Sequence, residues 1–191
     1  MPQSAYELAL AEHFSTFHAL AALQPQVEQV AGVLADALRS GGKVMLCGNG
    51  GSASDSQHIA AELTGRFVKD RAPLAGLALT TDTSALTSIG NDYDFGAVFE
   101  RQVRGLGRAG DCLIGLSTSG NSENVIRAVE AAHALGITTI GLLGRDGGRL
   151  AALCRHAVVV PSNTTARIQE AHIFVGHLWC QLIEQRLGVG Q

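Results

Sequence analysis

The sequence predicts an α/β protein built on one five-stranded parallel sheet with helices on both faces. Short apolar runs of strand length alternate along the chain with longer stretches in which apolar residues recur at helical spacing. Strands that are apolar on both faces and separated by helices are typical of a parallel sheet covered on both sides. The length of 191 residues fits one domain, since domains commonly run to roughly 100–200 residues.

Two helices are predicted before the first strand. The first ends before Pro25 and has its apolar residues at helical spacing, namely Leu10, Phe14, Phe17 and Ala21. The second ends at Ser40-Gly41-Gly42 and carries an apolar stripe of Val27, Val30, Leu34, Ala37 and Leu38. We therefore divide residues 1–191 into an N-terminal helical extension, 1–40, and an α/β core, 41–191, of a single domain.

Five continuous apolar runs are predicted as the strands of the sheet: residues 43–47, 74–79, 112–116, 138–143 and 157–160. The connections between parallel strands should be right-handed crossovers.

The last predicted helix covers roughly residues 164–187 and is apolar on more than one face. One stripe contains Ile168, Ala171, Val175, Leu178 and Leu182, and a second group contains Ile173, Phe174 and Ile183. A helix with two apolar faces must bury both of them. Together with the apolar N-terminal helix, this predicts a homo-oligomer formed by helix packing.

Composition narrows the class of protein further. With 46% hydrophobic and 16% charged residues the chain is not of the disordered type. A net charge of −3 argues against a nucleic-acid surface. Cys47, Cys112, Cys154 and Cys180 are widely spaced and are predicted to be buried free thiols, as in a reducing cytosol. Since we find neither a signal-peptide pattern nor an apolar run of membrane-spanning length, we expect a cytoplasmic protein.

Two strand-to-helix loops are rich in glycine, hydroxyl and amide groups. The first strand runs into residues 48–55, Gly-Asn-Gly-Gly-Ser-Ala-Ser-Asp, and the third into residues 117–122, Ser-Thr-Ser-Gly-Asn-Ser. Ligands of open α/β sheets lie beyond the carboxyl ends of the strands. A helix N-terminus offers free N–H groups and partial positive charge, so such loops can bind a phosphate without lysines. The alternative is that these residues only cap helices and form turns.

A dinucleotide site is a weaker interpretation of the first loop. Gly48, Gly50 and Ala53 fit the loose glycine fingerprint. That fingerprint requires an acidic residue roughly 20 positions later, and Asp82 comes about ten positions too late.

Candidate chemical groups occur on two of the predicted helices. His58 and Glu62 are spaced i, i+4 and so share one face of the helix after the first loop, which is a weak metal half-site. The last helix carries His172 and His177, and buried imidazoles there need partners. His172 is three residues from Gln169, whereas His177 lies about 80° round the helix from it. Spacing leaves open which histidine matters.

Five motifs occur in an order that resembles the phosphoheptose isomerases (sedoheptulose 7-phosphate isomerases) of the sugar isomerase (SIS) domain superfamily. The motifs are Gly-Asn-Gly-Gly-Ser at 48–52, His58 with Glu62-Leu-Thr-Gly65, Gly-Asn-Asp at 90–92, Ser-Thr-Ser-Gly-Asn-Ser at 117–122, and Arg-Ile-Gln-Glu-x-His at 167–172 with His177. The resemblance covers nearly the whole chain. It implies a three-layer SIS fold and a homotetramer with its active sites at subunit interfaces.

The resemblance also implies roles for individual residues. It assigns sugar-phosphate binding to Ser117, Thr118, Ser119 and Ser122, and further substrate contacts to Asn49, Gly50, Gly51, Ser52, Glu62, Asn91, Asp92 and Gln169. Glu62 and His177 match the acid/base pair. One zinc ion per subunit would be bound by His58, Glu62, Gln169 and His177.

The implied activity is the conversion of sedoheptulose 7-phosphate to D-glycero-D-manno-heptose 7-phosphate, the first step towards activated heptoses for lipopolysaccharide and similar polysaccharides. Ala166 departs from the pattern, because some members have an acidic residue three positions before the glutamine. One rival is a non-enzymatic SIS adaptor that binds the bacterial replication initiator, but such adaptors lack the pair matching Glu62 and His177. Another is an isomerase of shorter sugar phosphates.

Overall fold

The computed structural model describes residues 3–189 and confirms a single parallel sheet of five strands. The strands are β1 (Val44–Cys47), β2 (Gly76–Ala78), β3 (Cys112–Ser117), β4 (Thr138–Gly144) and β5 (His156–Val160). They lie side by side in the order β2-β1-β3-β4-β5. The chain leaves β1 towards β2 on one side and returns to place β3 on the other, so the strand order reverses between β1 and β3.

Helices of the described residues cover both faces of the sheet. They are α1 (Ala5–Leu20), α2 (Gln24–Arg39), α3 (Gly51–Thr64), α4 (Thr83–Asp92), α5 (Val98–Leu106), α6 (Glu123–Ala134), α7 (Gly148–Leu153) and α8 (Thr165–Leu187). On one face α2, α3 and α8 enclose an apolar core, and on the other α5, α6 and α7 enclose a second. The predicted three layers are therefore present.

The continuous apolar runs have a simple physical cause in β1. Val44 and Leu46 point into the first core, whereas Met45 and Cys47 point into the second. Successive side chains of a strand face opposite sides of the sheet. A strand buried on both faces is therefore apolar at every position.

The two N-terminal helices differ in how they are buried. Helix α2 belongs to the first core, and the indole N–H of Trp179 on α8 donates to the Val27 carbonyl at 3.1 Å. Helix α1 buries only Thr16 and Leu20 and leaves Tyr6 and Phe14 75% and 54% exposed. The apolar surface predicted for oligomer packing therefore lies mainly on α1.

The four cysteines are free and buried, as predicted. None of the helices between residues 3 and 189 is long and apolar enough to cross a lipid bilayer.

Candidate active site

The two polar loops meet at the point where the strand order reverses. Strands β1 and β3 are neighbours, and Cys47 near the end of β1 pairs in register with Gly115 of β3. Both strands run in the same direction, so their following loops flank one crevice at the carboxyl edge of the sheet. Crevices of this kind are where open α/β sheets bind their ligands.

The loop after β3 presents a ring of hydroxyl groups to the amino end of α6. Ser117 Oγ lies 2.9 Å from Ser122 Oγ and 3.5 Å from Ser119 Oγ, and it accepts a hydrogen bond from Gly120 N at 3.1 Å. Ser122 occupies the N-cap position, yet among the described residues no side chain caps α6. The free N–H groups and positive dipole end of α6 therefore face hydroxyls that can turn towards an anion.

The loop after β1 is joined to the other loop by a pair of amides. Asn49 and Asn124 exchange two hydrogen bonds between their side chains, each 2.9 Å long. Gly50, the residue before α3, has φ +56°, a conformation that favours glycine. Ser52 is 3% exposed and packs against Gly48. The loop after β1 is thus bonded to the first turn of α6, the helix that follows the other loop.

Helices α3 and α8 lie side by side and carry the candidate chemical groups along their contact. At one end of this contact Gln169 lies against Gly51, and further along Gly176 lies against Ile59. A Cβ atom at Gly176 would come within 2.5 Å of Ile59 Cδ1, so a larger residue there would push the Ile59 side chain aside. The result is that His177 meets the face of α3 that bears His58 and Glu62.

The three side chains His58, Glu62 and His177 form a compact cluster. His58 Nε2 lies 2.9 Å from His177 Nε2 and 3.2 Å from Glu62 Oε1. The side chains of His58 and Glu62 remain 49% and 25% exposed, so a small molecule can reach the cluster from solvent. On another side the Phe67 ring packs against the His177 ring at 5.7 Å between centroids.

The donor set fits a divalent metal such as zinc. Candidate ligand atoms of His58, Glu62 and His177 all lie within 4.8 Å of one another. Tetrahedral zinc with bonds near 2.0–2.1 Å places its ligand atoms ~3.3 Å apart, close to the observed 2.9 and 3.2 Å. Two imidazoles and a carboxylate with a fourth position open are typical of catalytic zinc.

Of the four predicted metal ligands, Gln169 lies away from the other three. Gln169 is eight residues before His177 on α8, so the two are ~12 Å apart along the helix axis. Its amide lies against Gly51 at the loop end of the helix contact. Asn91 and Asp92 are exposed at the end of α4 and bond to each other at 2.9 Å. Thr118 and Ser119 are half-buried beside Ser117.

His172 has a different environment from His177. It is fully buried, and its Nε2 bonds to the Leu143 carbonyl at 3.0 Å. Burial lowers the pKa of His172 to about 4, and this hydrogen bond only partly offsets the effect. The structure therefore places His172 in the core and His177 in the cluster.

Asp82, the acidic residue considered for a dinucleotide site, instead caps α4, because its side chain accepts a hydrogen bond from Ala85 N at 2.9 Å.

Asp55 lies one turn before His58 on α3, and the sequence offered no reason to single it out. Its Oδ2 is buried and has no hydrogen-bond partner among residues 3–189. Burial raises the pKa of the Asp55 carboxyl to about 6, while the nearby His58 acts in the opposite direction.

Sequence reasoning also missed four residues around the site. Asn124 bonds to Asn49, Phe67 packs on His177, and Arg71 and Glu184 form a buried ion pair. Asn124 is 4% exposed in the first turn of α6. The only sequence signal for it is an amide within an otherwise apolar helix stripe.

Fold and site together define a class: a parallel α/β protein with two polar, glycine-containing loops at a strand-order reversal and a histidine–carboxylate cluster between helices α3 and α8. The sequence profile of the SIS domain matches residues 10–144. Phosphoheptose isomerase of Rhodospirillum rubrum is 57% identical over 163 residues, covering 85% of this chain and 87% of the relative. That of Nitratiruptor is 56% identical over 180 residues, covering 94% and 96%.

The solved structure of phosphoheptose isomerase from Neisseria gonorrhoeae superimposes with a TM-score of 0.90 at 49% identity, covering 94% of this chain and 97% of that one. The chain belongs to the phosphoheptose isomerase family of SIS domain proteins.

Proposed function

We propose that this chain is an aldose–ketose isomerase that converts sedoheptulose 7-phosphate to D-glycero-D-manno-heptose 7-phosphate. The observation that carries the proposal is the cluster of His58, Glu62 and His177, formed from two helices in a chain 57% identical to a phosphoheptose isomerase. In metabolism, this reaction would be the first step of activated-heptose biosynthesis.

The reaction needs a base for a carbon-bound proton and a second group for the oxygens. Glu62 takes a proton from C1 of the ketose, which leaves an enediolate, and returns it to C2. His177 moves the hydroxyl proton from O1 to O2, so that the carbonyl ends at C1. The candidate ligand atoms of Glu62 and His177 lie within 4.8 Å of each other, and His58 contacts both side chains.

The phosphate is bound by the ring of hydroxyls at Ser117, Ser119 and Ser122, with Thr118 beside them. The amino ends of α3 and α6 supply N–H donors and positive dipole ends. The chain therefore binds a dianion without a cluster of lysines, which agrees with its net charge of −3. Asn49, Gly50, Gly51, Ser52, Asn91 and Asp92 are proposed to contact the sugar.

Zinc is the proposed metal, bound by His58, Glu62 and His177. When bound, it supplies a Lewis acid that polarises the substrate carbonyl. Gln169 is the fourth proposed ligand. Within one chain, however, its side chain lies against Gly51 and not beside the other three ligands. We propose that a second copy of the chain supplies this fourth ligand.

A homotetramer with active sites at subunit interfaces is therefore part of the proposal. The exposed Tyr6 and Phe14 of α1, with Phe174 of α8 at 45% exposed, provide apolar surface for packing between copies. In this arrangement residues 1–191 form one domain, in which α1 serves oligomer contacts and α2 completes the core. We also propose a cytoplasmic location, where sugar phosphates and reduced thiols occur together.

The adaptor alternative is not favoured because Glu62 and His177 are both present and close together. A coupled assay with sedoheptulose 7-phosphate, run with and without a chelator, tests the activity and the metal directly. Ketose phosphates with five, six and seven carbons identify the substrate length. A pull-down with the replication initiator tests the adaptor alternative.

The variant Glu62→Gln keeps the side-chain shape and removes the base. We expect kcat to fall about 10²–10⁴-fold, the usual contribution of general acid/base catalysis. Glu130→Gln is the matched control, because Glu130 is exposed on α6. Near-normal turnover by Glu62→Gln contradicts the assigned role.

A further inference from the structure

A buried arginine closes the end of the helix that carries His58 and Glu62. The Arg71 side chain is 2% exposed, and its guanidinium donates to the backbone carbonyls of Glu62 at 2.7 Å and Leu63 at 2.9 Å. The last carbonyls of a helix have no partners within it. A cation there also complements the negative end of the helix dipole. Arg71 therefore fixes the last turn of α3 at the residue proposed as the base.

The same guanidinium is held by a carboxylate on the other helix of the cluster. Glu184 of α8 is 9% exposed in its side chain, and its Oε1 accepts from Arg71 Nε at 2.5 Å. It also accepts from Phe67 N at 3.3 Å. A buried charge requires this kind of pairing, since an unpaired one is strongly destabilising. Glu184 lies seven residues after His177, two turns along the same side of α8.

The pair thus connects every element around the cluster. Arg71 bonds to the backbone of Glu62, Glu184 is on the helix of His177, and Phe67, whose N–H bonds to Glu184, packs its ring on the His177 ring. Among the described residues, neither charged group forms a hydrogen bond with a side chain of the cluster.

We propose that Arg71 and Glu184 are positioning residues that set the distance between Glu62 and His177 for proton transfer and metal binding. Removing one buried partner lets α3 and α8 shift relative to each other. The loop after β1 lies at the opposite end of α3, before Gly51, and the loop after β3 lies at the start of α6, so we expect both to stay in place. Catalysis and metal affinity are therefore lost while substrate binding is kept. This inference rests on the proposed roles of Glu62 and His177.

The test uses Arg71→Lys in the full-length protein. Lysine keeps the charge, but its single ammonium cannot span two carbonyls and a carboxylate as a planar guanidinium does. We expect kcat to fall 10–100-fold with KM changed less than threefold. Zinc affinity, measured by competition with a chromophoric chelator, should also weaken 10–100-fold, as is usual for partners that orient ligands. Glu184→Gln, which keeps the side-chain volume, is the second variant and should change the same two quantities.

Asp111→Asn is the matched control. Asp111 bonds to Lys43 Nζ at 2.5 Å and accepts from two backbone N–H groups, but it lies at the amino edge of the sheet. It should lower thermal stability and leave kcat and zinc affinity within twofold of wild type. Equal effects of all three variants, or wild-type zinc affinity in Arg71→Lys, would overturn the proposal. Absence of isomerase activity in the wild type refutes the proposed function instead, and zinc affinity still decides the positioning role.

Discussion

His172 should make the stability of this protein depend on pH in a defined window. Its imidazole is fully buried, with Nε2 on the Leu143 carbonyl and with Nδ1 unpartnered within the described residues. Protonation would place a charge in this apolar environment. Burial accordingly lowers the pKa of His172 from 6.5 to about 4.

The sign follows from proton binding in the two states. Above pH 6.5 the imidazole is neutral in both the folded and the unfolded chain, so it adds no pH dependence. Between pH 6.5 and about 4 the unfolded chain binds a proton that the folded chain excludes. The free energy of unfolding therefore decreases as the pH falls, by about 1.4 kcal/mol per unit. Over the full window the loss reaches about 3 kcal/mol.

The variant His172→Gln removes the titrating group and keeps an amide that can donate to the Leu143 carbonyl. Urea unfolding at fixed protein concentration should show that wild type loses about 1.4 kcal/mol more than this variant between pH 7.5 and 5.5. His18→Gln is the control, because His18 is exposed on α1. The same pH slope in wild type and His172→Gln would refute the reasoning.

Two further predictions concern the phosphate loop and the exposed helix. Ser122→Ala removes a hydroxyl that faces Ser117 across the loop. Its KM for the sugar phosphate should rise about 10-fold with kcat little changed, since one hydrogen bond to a charged group is worth roughly 1.5–3 kcal/mol. An unchanged KM in steady-state kinetics contradicts the assignment. Replacing Tyr6 and Phe14 of α1 by serine should shift sedimentation velocity profiles towards smaller species, whereas Glu12→Gln on the same helix should not; a wild-type profile for the double variant argues against the α1 interface.

The strands were predictable because their signal is local. The central positions of the strands are mostly apolar on both faces, and the turn residues at their ends mark the boundaries. The alternation of strands and helices then restricts the fold to a parallel sheet with covered faces. The position of β2 on the far side of β1 from β3 was not predictable, because it depends on how the helices pack across the two faces.

The candidate site likewise has features that the sequence predicts and features that it does not. The hydroxyl-rich loops could be found because their residues are contiguous and follow strands. Their connection through Asn49 and Asn124 could not, since the two amides are 75 residues apart. For Arg71 and Glu184 the sequence shows only two ordinary charged residues, and burial alone reveals that they form a pair.

By itself the sequence determined the fold class, the two polar strand-to-helix loops and the shared face of His58 and Glu62, because each depends on spacing along a few turns of chain. Spacing along the helix left His172 and His177 equivalent, and the tertiary structure shows that their environments differ. Both lie on α8, separated by little more than one turn, and their roles differ because one side of that helix packs on β4 and another on α3. The packing of the helices on the whole sheet sets which partner each helix face contacts. This packing brings together the side chains of His58 and His177, which are 119 residues apart in the sequence.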